Sequence, residues 1–310
     1  MVDLSVKIGK LKLKNPVIAA SGTFGMEYRK LINVGLLGAV VTKTITLKAR
    51  AGNPPPRIAE TASGMLNSIG LENKGLADFI KNKIPLFPAN KTALIVSIAG
   101  DSEDEFTRLA DGLNKIKKVG AIELNLSCPN IKRVQGTGYR VQDAHMIAQD
   151  KDATYKIVKA VRKSTALTLI VKLSPNVTDI TKIAAAAESA GADSISLVNT
   201  FLGMAVDIDT KRPKLGNVTG GLSGPAIKPL ALKFVRDVYK RVKIPVIGIG
   251  GIMDYEDAIE FMLCGAAAVQ IGTANFVNPD TSIGIVKGIK AYLVKNGLKS
   301  VTDIIGKLKI

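Results

Sequence analysis

The chain has 310 residues, of which 46% are hydrophobic, the composition of a soluble globular protein. Its 43 basic and 26 acidic side chains give a formal charge of +17, which favours anionic ligands or an acidic partner. No apolar run approaches the roughly 18 residues of a membrane span, and the N-terminus lacks a secretory pattern. We therefore expect a cytoplasmic protein without membrane contact.

Nucleic acid is not an expected partner, despite the positive charge. The basic residues are scattered along the chain, and there is no Trp. Aromatic residues make up only 5% of the chain, so surfaces on which single-stranded bases stack are scarce. The two cysteines, Cys128 and Cys264, fit a reducing compartment.

Residues 4–13 alternate apolar and polar side chains around Gly9 and Lys10, which predicts a β-hairpin at the start of the chain. After it, short apolar segments alternate with loops and amphipathic segments. The apolar segments predict eight strands that start near Val17, Ala39, Ala93, Ala121, Leu169, Ser194, Pro245 and Ala268.

The amphipathic segments predict helices between the strands. The clearest of these span residues 102–118, 153–163, 177–190, 226–242 and 255–264. Glycine precedes the next strand at four similar points of the repeat, Gly38, Gly120, Gly191 and Gly265. We expect each of these glycines to take the left-handed conformation that ends a helix.

Eight strands alternating with helices predict a single domain over residues 1–310, a parallel sheet closed into a (β/α)8 TIM barrel. An open doubly wound sheet is the alternative. The long insertions, residues 43–74, 126–150 and 199–225, follow strands two, four and six and precede the next helix. Because barrel active sites are built from loops on this face, the distribution is typical of an enzyme.

Polar residues follow several of the predicted strands. They are Ser21, Lys43, Thr44, Asn125, Lys172, Asn199 and Thr200. Each alone is a loop residue or a lysine that reaches solvent, but unpaired lysines and amides are costly at the mouth of an apolar barrel. Their convergence at one mouth predicts a site for a polar ligand.

The last two strands end in glycine. Strand seven ends in Ile247-Gly248-Ile249-Gly250-Gly251, and strand eight ends in Ile271-Gly272-Thr273. Glycines let backbone N–H groups approach an anion closely, and loops after strands seven and eight of barrels recurrently bind phosphate. This pattern predicts a ligand or cofactor that carries a phosphate group.

A thiol follows the fourth strand, in the segment that runs from Ile122 to Asn130. Pro129 fixes its own φ and disfavours helical geometry at Cys128, which predicts an extended turn beyond the strand end. Most unpaired cysteines are small buried hydrophobes, so this stretch alone leaves a catalytic and a structural interpretation open.

These segments together resemble class 1 dihydroorotate dehydrogenases, more specifically the 1B type. The resemblance covers nearly the whole chain in order. It rests on residues 42–44 (Thr-Lys-Thr), 52–57 (Gly-Asn-Pro-Pro-Pro-Arg), 64–71, 125–130 (Asn-Leu-Ser-Cys-Pro-Asn), 171–176, 199–200, 220–226, 248–251 and 272–275.

The resemblance implies an FMN-containing barrel that oxidises dihydroorotate to orotate in pyrimidine biosynthesis, with Cys128 as the catalytic base and no metal. The implied ligands of FMN are Ser21, Lys43, Thr44, Asn125, Lys172, Val198, Gly224, Gly250, Gly251, Gly272 and Thr273. The implied ligands of the pyrimidine are Lys43, Asn67, Ser68, Ile69, Gly70, Leu71, Asn125, Asn199 and Thr200.

The residue types suit this chemistry. Flavin accepts the hydride, which no side chain can do. Cys128 would take the proton from C5 of the substrate, and a free thiol has a pKa of about 8.5, so the rate should climb with pH until the thiol titrates. Lys172 would stabilise negative charge on the reduced ring.

The 1B resemblance also implies a partner subunit that carries FAD and a [2Fe–2S] cluster and passes electrons to NAD, around a homodimer core or in a heterotetramer. A stand-alone enzyme that uses fumarate or another soluble acceptor is the alternative. A tRNA-dihydrouridine synthase, a Schiff-base aldolase that uses Lys172 and a non-catalytic flavin-binding module are further alternatives.

Two features depart from the family pattern. Ser97 stands where the family has Asn on strand three, which leaves open whether this position contacts FMN. The loop at residues 132–145 is about nine residues longer than expected and contains His145, the only histidine. His145 is either a surface residue or a partner of Cys128, and Cys264 is expected in the core.

Overall fold

The computed structural model describes residues 2–23, 32–88, 91–127 and 147–309. Within these ranges the strands are β1 Val6–Ile8, β2 Leu11–Leu13, β3 Val17–Ala19, β4 Ala39–Val41, β5 Ile58–Thr61, β6 Gly64–Asn67, β7 Ala93–Ile98, β8 Val119–Asn125, β9 Thr168–Lys172, β10 Ser194–Leu197, β11 Phe201–Met204, β12 Val206–Asp207, β13 Arg212–Pro213, β14 Thr219–Ser223, β15 Val246–Ile249 and β16 Ala266–Ile271. The helices are α1 Gly75–Asp78, α2 Glu103–Asn114, α3 Lys151–Ser164, α4 Ile180–Ser189, α5 Lys228–Arg241, α6 Tyr255–Leu263, α7 Ala274–Val277 and α8 Thr281–Lys295.

Eight parallel strands close into a barrel in the order β3-β4-β7-β8-β9-β10-β15-β16, which confirms the predicted TIM barrel. The predicted strand starts agree with the observed ones within two residues. The barrel strands are nearly continuous runs of buried residues, because helices cover the outside and side chains fill the inside.

The predicted N-terminal hairpin is also confirmed, as β1 and β2, and it closes the bottom of the barrel. The backbone N–H of Lys10 donates to Oγ1 of Thr168 at 3.2 Å. A side chain at Gly9 would come within 2.6 Å of Cβ of Asp193. Since Thr168 and Asp193 lie at the amino ends of β9 and β10, the hairpin leaves the carboxyl ends of the strands open.

The five predicted helices are present, with ends set by local capping. The predicted helix 102–118 ends at Asn114, and the segment 226–242 begins as a 3-10 turn over Pro225–Ile227 before α5. Side chains at the N-caps, such as Ser102, accept hydrogen bonds from first-turn amides. No helix in the described ranges is long and apolar enough to cross a membrane.

The glycine prediction is correct at two of four positions. Gly191 and Gly265 have φ of +103° and +118° and lie at the ends of α4 and α6. Gly38 does not have positive φ; it is required because a side chain there would collide with the carbonyl oxygen of Asn15. Gly120 lies inside β8 and caps nothing, so the left-handed assignment is wrong at both positions.

Two of the three insertions fold together into one antiparallel sheet beside the barrel mouth. Strands β5 and β6 come from residues 43–74, and β11 and β14 come from residues 199–225. The sheet order is β11-β14-β6-β5, and Gly221 of β14 pairs with Asn67 of β6. The second sheet therefore brings these two insertions together, a contact that the barrel topology alone does not predict.

The barrel interior contains a buried polar group of three side chains. Oε2 of Glu123 accepts hydrogen bonds from Nε2 of Gln270 at 2.7 Å and from Oγ of Ser196 at 3.1 Å. All three residues are almost completely buried. Glu123 lies two residues before Asn125 on β8, so this group lies directly beneath the strand ends.

Candidate active site at the barrel mouth

A chain of hydrogen bonds joins polar side chains from five strand ends. Oγ1 of Thr44 lies 3.3 Å from Oγ of Ser21 and 2.9 Å from Oγ of Ser97. Nδ2 of Asn125 donates to Oγ1 of Thr44 at 3.4 Å. Nδ2 of Asn199 then donates to Oδ1 of Asn125 at 3.3 Å. The sequence predicted that these strand ends converge, and the structure places them side by side.

Ser97 is fully buried in this network. Its hydroxyl is hydrogen-bonded to Oγ1 of Thr44, so Ser97 orients the side chain of Thr44. The amide N–H of Ser97 also donates to Oγ1 of Thr42 at 3.2 Å. Sequence reasoning left the role of Ser97 open; its position in the barrel wall favours support of Thr44 over contact with a ligand.

Lys172 is a largely buried cation for which the described part of the chain provides no ion-pair partner. It is 7% exposed and ends β9, where it pairs in register with Asn125 on one side and Ser196 on the other. Among the described residues no carboxylate lies within ion-pair distance of its ammonium group. Because a buried charge without a partner costs free energy, this position favours a ligand that accepts hydrogen bonds or carries negative charge.

Lys43 reaches the same mouth from the end of β4. It is exposed to the open mouth, and its Nζ would lie 3.6 Å from a side chain at Gly22. The protein atoms of this concave mouth desolvate the ammonium group and lower the pKa of Lys43, while the carboxylate of Glu72 acts in the opposite direction. Lys43 and Lys172 together make the mouth positive.

Four backbone amides at the ends of β15 and β16 point to an anion site. The N–H groups of Gly250, Gly251, Gly272 and Thr273 donate to no acceptor within the described parts of the chain. Gly250 and Gly251 have φ of +131° and +75°, a conformation that favours glycine. A side chain at Gly272 would have its nearest neighbour at 3.7 Å, so there is open space beside this amide.

The second sheet borders this cradle of amides. Oγ1 of Thr273 donates to Oγ of Ser223 at 2.8 Å, which ties the end of β16 to the end of β14. Gly224 follows with φ of +97°, and its carbonyl oxygen would lie 3.0 Å from a side chain at Gly251. Val198, at the end of β10, lies beside Gly250. The predicted cofactor ligands after strands six, seven and eight thus lie together.

Asn67 and Thr200 meet at the edge of the second sheet. Nδ2 of Asn67 donates to the carbonyl oxygen of Gly221 at 3.3 Å. The side chain of Thr200 packs against Gly221, and its backbone N–H donates to Oδ1 of Asn199 at 2.9 Å. Asn67 is therefore connected to the amide pair of Asn199 and Asn125.

The segment after Asn67 is held by the motif at residues 52–57. Nδ2 of Asn53 donates to Oγ of Ser68 at 2.9 Å, and the amide of Asn53 donates to the carbonyl oxygen of Ile69 at 3.1 Å. Gly70 lies against Asn53 so closely that a side chain would come within 2.6 Å of it. Leu71 has a positive φ of 56°, and the chain turns there. Asn53 thus positions the middle of the predicted segment, Ser68 to Gly70.

Three sequence predictions fall on residues outside the described ranges: Cys128, His145 and the 132–145 loop. Ser127, the last described residue before them, lies beside the site, because its amide donates to Oδ1 of Asn125 at 3.3 Å. Within the described residues no three His, Cys, Asp or Glu side chains lie together as a metal site.

Comparison with known proteins identifies the family. The sequence profile described as dihydroorotate dehydrogenase matches residues 3–293. Similar relatives occur in Bacteroides thetaiotaomicron (51% identical), Caldicellulosiruptor bescii (50%) and Geobacter metallireducens (50%), with at least 99% of both chains aligned. All three are named dihydroorotate dehydrogenase B (NAD(+)), catalytic subunit. The resemblance drawn from the motifs is thereby confirmed, and the chain belongs to the dihydroorotate dehydrogenase family.

Proposed function

We propose that this chain is the catalytic subunit of an NAD-linked, cytoplasmic dihydroorotate dehydrogenase that oxidises dihydroorotate to orotate with FMN. The observation that carries the proposal is the mouth itself: the amide pair of Asn125 and Asn199 lies beside the buried Lys172, which has no ion-pair partner among the described residues. Family membership favours this reaction over the RNA-modifying, aldolase and non-catalytic alternatives.

The donor set fits FMN. A phosphate has four amides available to it at Gly250, Gly251, Gly272 and Thr273, none of which has an acceptor in the described chain. The remaining proposed ligands border the same mouth and suit a polar ring: Ser21, Lys43, Thr44, Asn125, Lys172, Val198 and Gly224. When bound, FMN supplies the hydride acceptor that side chains lack.

The protein's own contribution to the reaction begins with orientation. Asn67, Asn125 and Asn199 offer donors and acceptors together, as an uncharged ring with imide groups requires. Asn53 donates hydrogen bonds to Ser68 and Ile69 and so holds the middle of the segment 67–71 in place. Lys43 and Lys172 supply positive charge where the substrate carboxylate and the electron-rich ring need it.

The proton is assigned to Cys128 from its motif. Cys128 directly follows Ser127 in sequence, and the amide of Ser127 donates to Oδ1 of Asn125. The thiolate of Cys128 would remove the C5 proton as a general base. Lys172 would stabilise the negative charge that the flavin ring acquires when it takes up the hydride.

The electron acceptor is proposed to be NAD, reached through a partner subunit that carries FAD and a [2Fe–2S] cluster. The names of the relatives support this choice over fumarate, and the charge of +17 would attract an acidic subunit. Orotate formation by the purified chain should be fast with an artificial dye, slow with NAD alone and restored with NAD by the partner. Rapid turnover with fumarate alone would establish the stand-alone alternative, and partner binding that is insensitive to salt would exclude electrostatic docking.

A homodimer core is supported by an apolar stripe on β11 and the segment after it. Leu202, Met204 and Val206 are exposed and alternate with less exposed residues, so they share one face of the extended segment, and the exposed Ile208 follows in the turn after β12. The adjacent groove contains both acidic and basic groups (Glu60, Asp207, Arg212 and Lys214). A two-fold interface must be complementary to itself, and a surface with both signs of charge meets that condition on a chain that is otherwise strongly basic.

Sedimentation at several protein concentrations tests this interface. Ile208→Asp should convert a dimer into monomers, because it places a charge in the apolar stripe, while the exposed control Leu308→Asp should not. A dimer that persists in Ile208→Asp would place the interface elsewhere.

A further inference from the structure

An ion pair lies next to the Gly250–Gly251 turn. Nζ of Lys228, at the start of α5, lies 2.5 Å from Oδ1 of Asp257 and 3.0 Å from Oε2 of Glu260, both on α6. Asp257 is 8% exposed. The hydrogen bond with Asp257 raises the pKa of Lys228 against the effect of burial, so the cation is held in its charged form by this pair. Lys228 is therefore engaged by carboxylates and is not available as a phosphate ligand.

The second oxygen of Asp257 holds the turn that contains the cradle. Oδ2 of Asp257 accepts a hydrogen bond from the backbone N–H of Met253 at 2.7 Å. Met253 follows Gly251 by two residues, so this bond fixes the far end of the Gly250–Gly251 turn. The backbone N–H of Asp257 is in turn bonded to Oδ1 of Asp254, the N-cap of α6, at 3.0 Å.

Lys228 holds the same turn from the other side by contact. A side chain at Gly251 would come within 2.8 Å of both the backbone nitrogen and Cβ of Lys228, and within 3.0 Å of the carbonyl oxygen of Gly224. The first residue of α5 is thus packed directly on Gly251. The carboxylate of Asp257 therefore makes two contacts. It accepts a hydrogen bond from Met253 at the end of the turn, and it forms an ion pair with Lys228, which packs against the turn.

We propose that Asp257 is a positioning residue for the phosphate of FMN: it fixes the Gly250–Gly251 turn against the start of α5 without touching the ligand. The inference rests on the proposed function, because it takes FMN as the ligand of the cradle. The inference predicts the direction in which the affinity for FMN changes when Asp257 is replaced. Simple electrostatics would have FMN bind more tightly when a negative charge near its phosphate is removed, whereas loss of positioning makes FMN bind more weakly.

The test compares two flavins that differ only in the phosphate. Apoprotein is titrated with FMN and with riboflavin, and quenching of flavin fluorescence gives the dissociation constants. Asp257→Ala should raise the dissociation constant of FMN about tenfold, the effect of losing a hydrogen bond to a buried charged group, and leave that of riboflavin unchanged. Asp257→Asn keeps one carbonyl acceptor and should give a smaller loss, which also serves if the alanine variant folds poorly.

Glu260→Gln is the matched control, since it removes the same charge from the same lysine but has no contact with the turn. It should bind FMN as tightly as the unaltered protein. If Asp257→Ala weakened the binding of FMN and riboflavin equally, Asp257 would have a general structural role and the inference would be overturned. Unchanged or tighter binding of FMN would also overturn it. An unaltered protein that binds neither flavin would overturn the proposed function and with it this inference.

Discussion

Asn199 and Asn125 are 74 residues apart in sequence, yet Nδ2 of the first donates to Oδ1 of the second at 3.3 Å. Their strands, β10 and β8, are not neighbours, because β9 lies between them and ends in Lys172. The two amides therefore meet across the strand that carries the buried cation. This arrangement gives the proposed site a rigid row of donors and acceptors beside a positive charge.

Asn199→Ala should slow flavin reduction by dihydroorotate while FMN remains bound. The substitution removes the donor to Asn125 and the acceptor for the amide of Thr200. We expect a loss of about 10²-fold in the reduction rate, typical of one positioned polar group, measured by anaerobic stopped-flow absorbance. Asn296→Ala, at the exposed end of α8, is the control and should reduce at the normal rate. Unaltered reduction in Asn199→Ala would remove this amide from the site.

Lys172→Met should have opposite effects on stability and function. In the apoprotein, loss of a buried charge without a described partner should raise the free energy of unfolding by about 1 kcal/mol. The same substitution should slow flavin reduction by about 10²-fold, because positive charge beside the ring is lost. Urea unfolding and stopped-flow reduction measure the two quantities, with the exposed Lys7→Met as the control for both. A clear loss of apoprotein stability would mean that Lys172 has a structural partner.

Lys43 predicts a pH dependence of apoprotein stability. Its folded pKa is lowered below 10.5 by desolvation, so between the folded pKa and 10.5 the unfolded state binds more protons and stability rises with pH. At neutral pH the full cost of holding the charge is present. Lys43→Met apoprotein should therefore be more stable than the unaltered apoprotein at neutral pH, and the difference should shrink as the pH rises toward 10.5. A difference that does not change with pH would contradict the lowered pKa.

The buried polar group beneath the site predicts strong coupling between two residues. Glu123→Ala leaves the side chains of Gln270 and Ser196 buried without their acceptor and should cost about 3 kcal/mol of unfolding free energy. Replacing Glu123 and Gln270 together by leucine should cost less than the sum of the two single leucine substitutions, because no orphaned partner remains. Urea unfolding of the four proteins gives this comparison, and additive costs would show that the two side chains act independently.

Barrel strands and strand ends were predictable from sequence, because both depend on local pattern. Continuous apolar runs such as Ala39–Val41 are required of strands buried on both faces, and the residues just after each run must lie at the mouth. The same logic located Lys172 and Asn125. It failed at Gly38, where glycine is required by the nearby carbonyl oxygen of Asn15, a contact that no local pattern records.

The second sheet and the support behind the site were not predictable in this way. Strands β6 and β14 are short, half-buried and rich in glycine, and they pair across more than 150 residues, as the bond between Asn67 and Gly221 shows. Lys228 and Asp257 belong to ordinary helix surfaces in sequence and meet only in the fold. Asn53 had a signal, the motif at 52–57, but the motif does not reveal that it holds the middle of the segment 67–71.

The most direct test is an anaerobic visible spectrum of the FMN-loaded protein before and after addition of dihydroorotate. We predict that the flavin absorbance bleaches at once, and that Cys128→Ala retains FMN but bleaches about 10²-fold more slowly, as expected for a lost general base. A yellow protein that stays yellow with dihydroorotate would contradict the proposed reaction. A protein that does not bind FMN at all would contradict the assignment of the glycine cradle at Gly250 and Gly272.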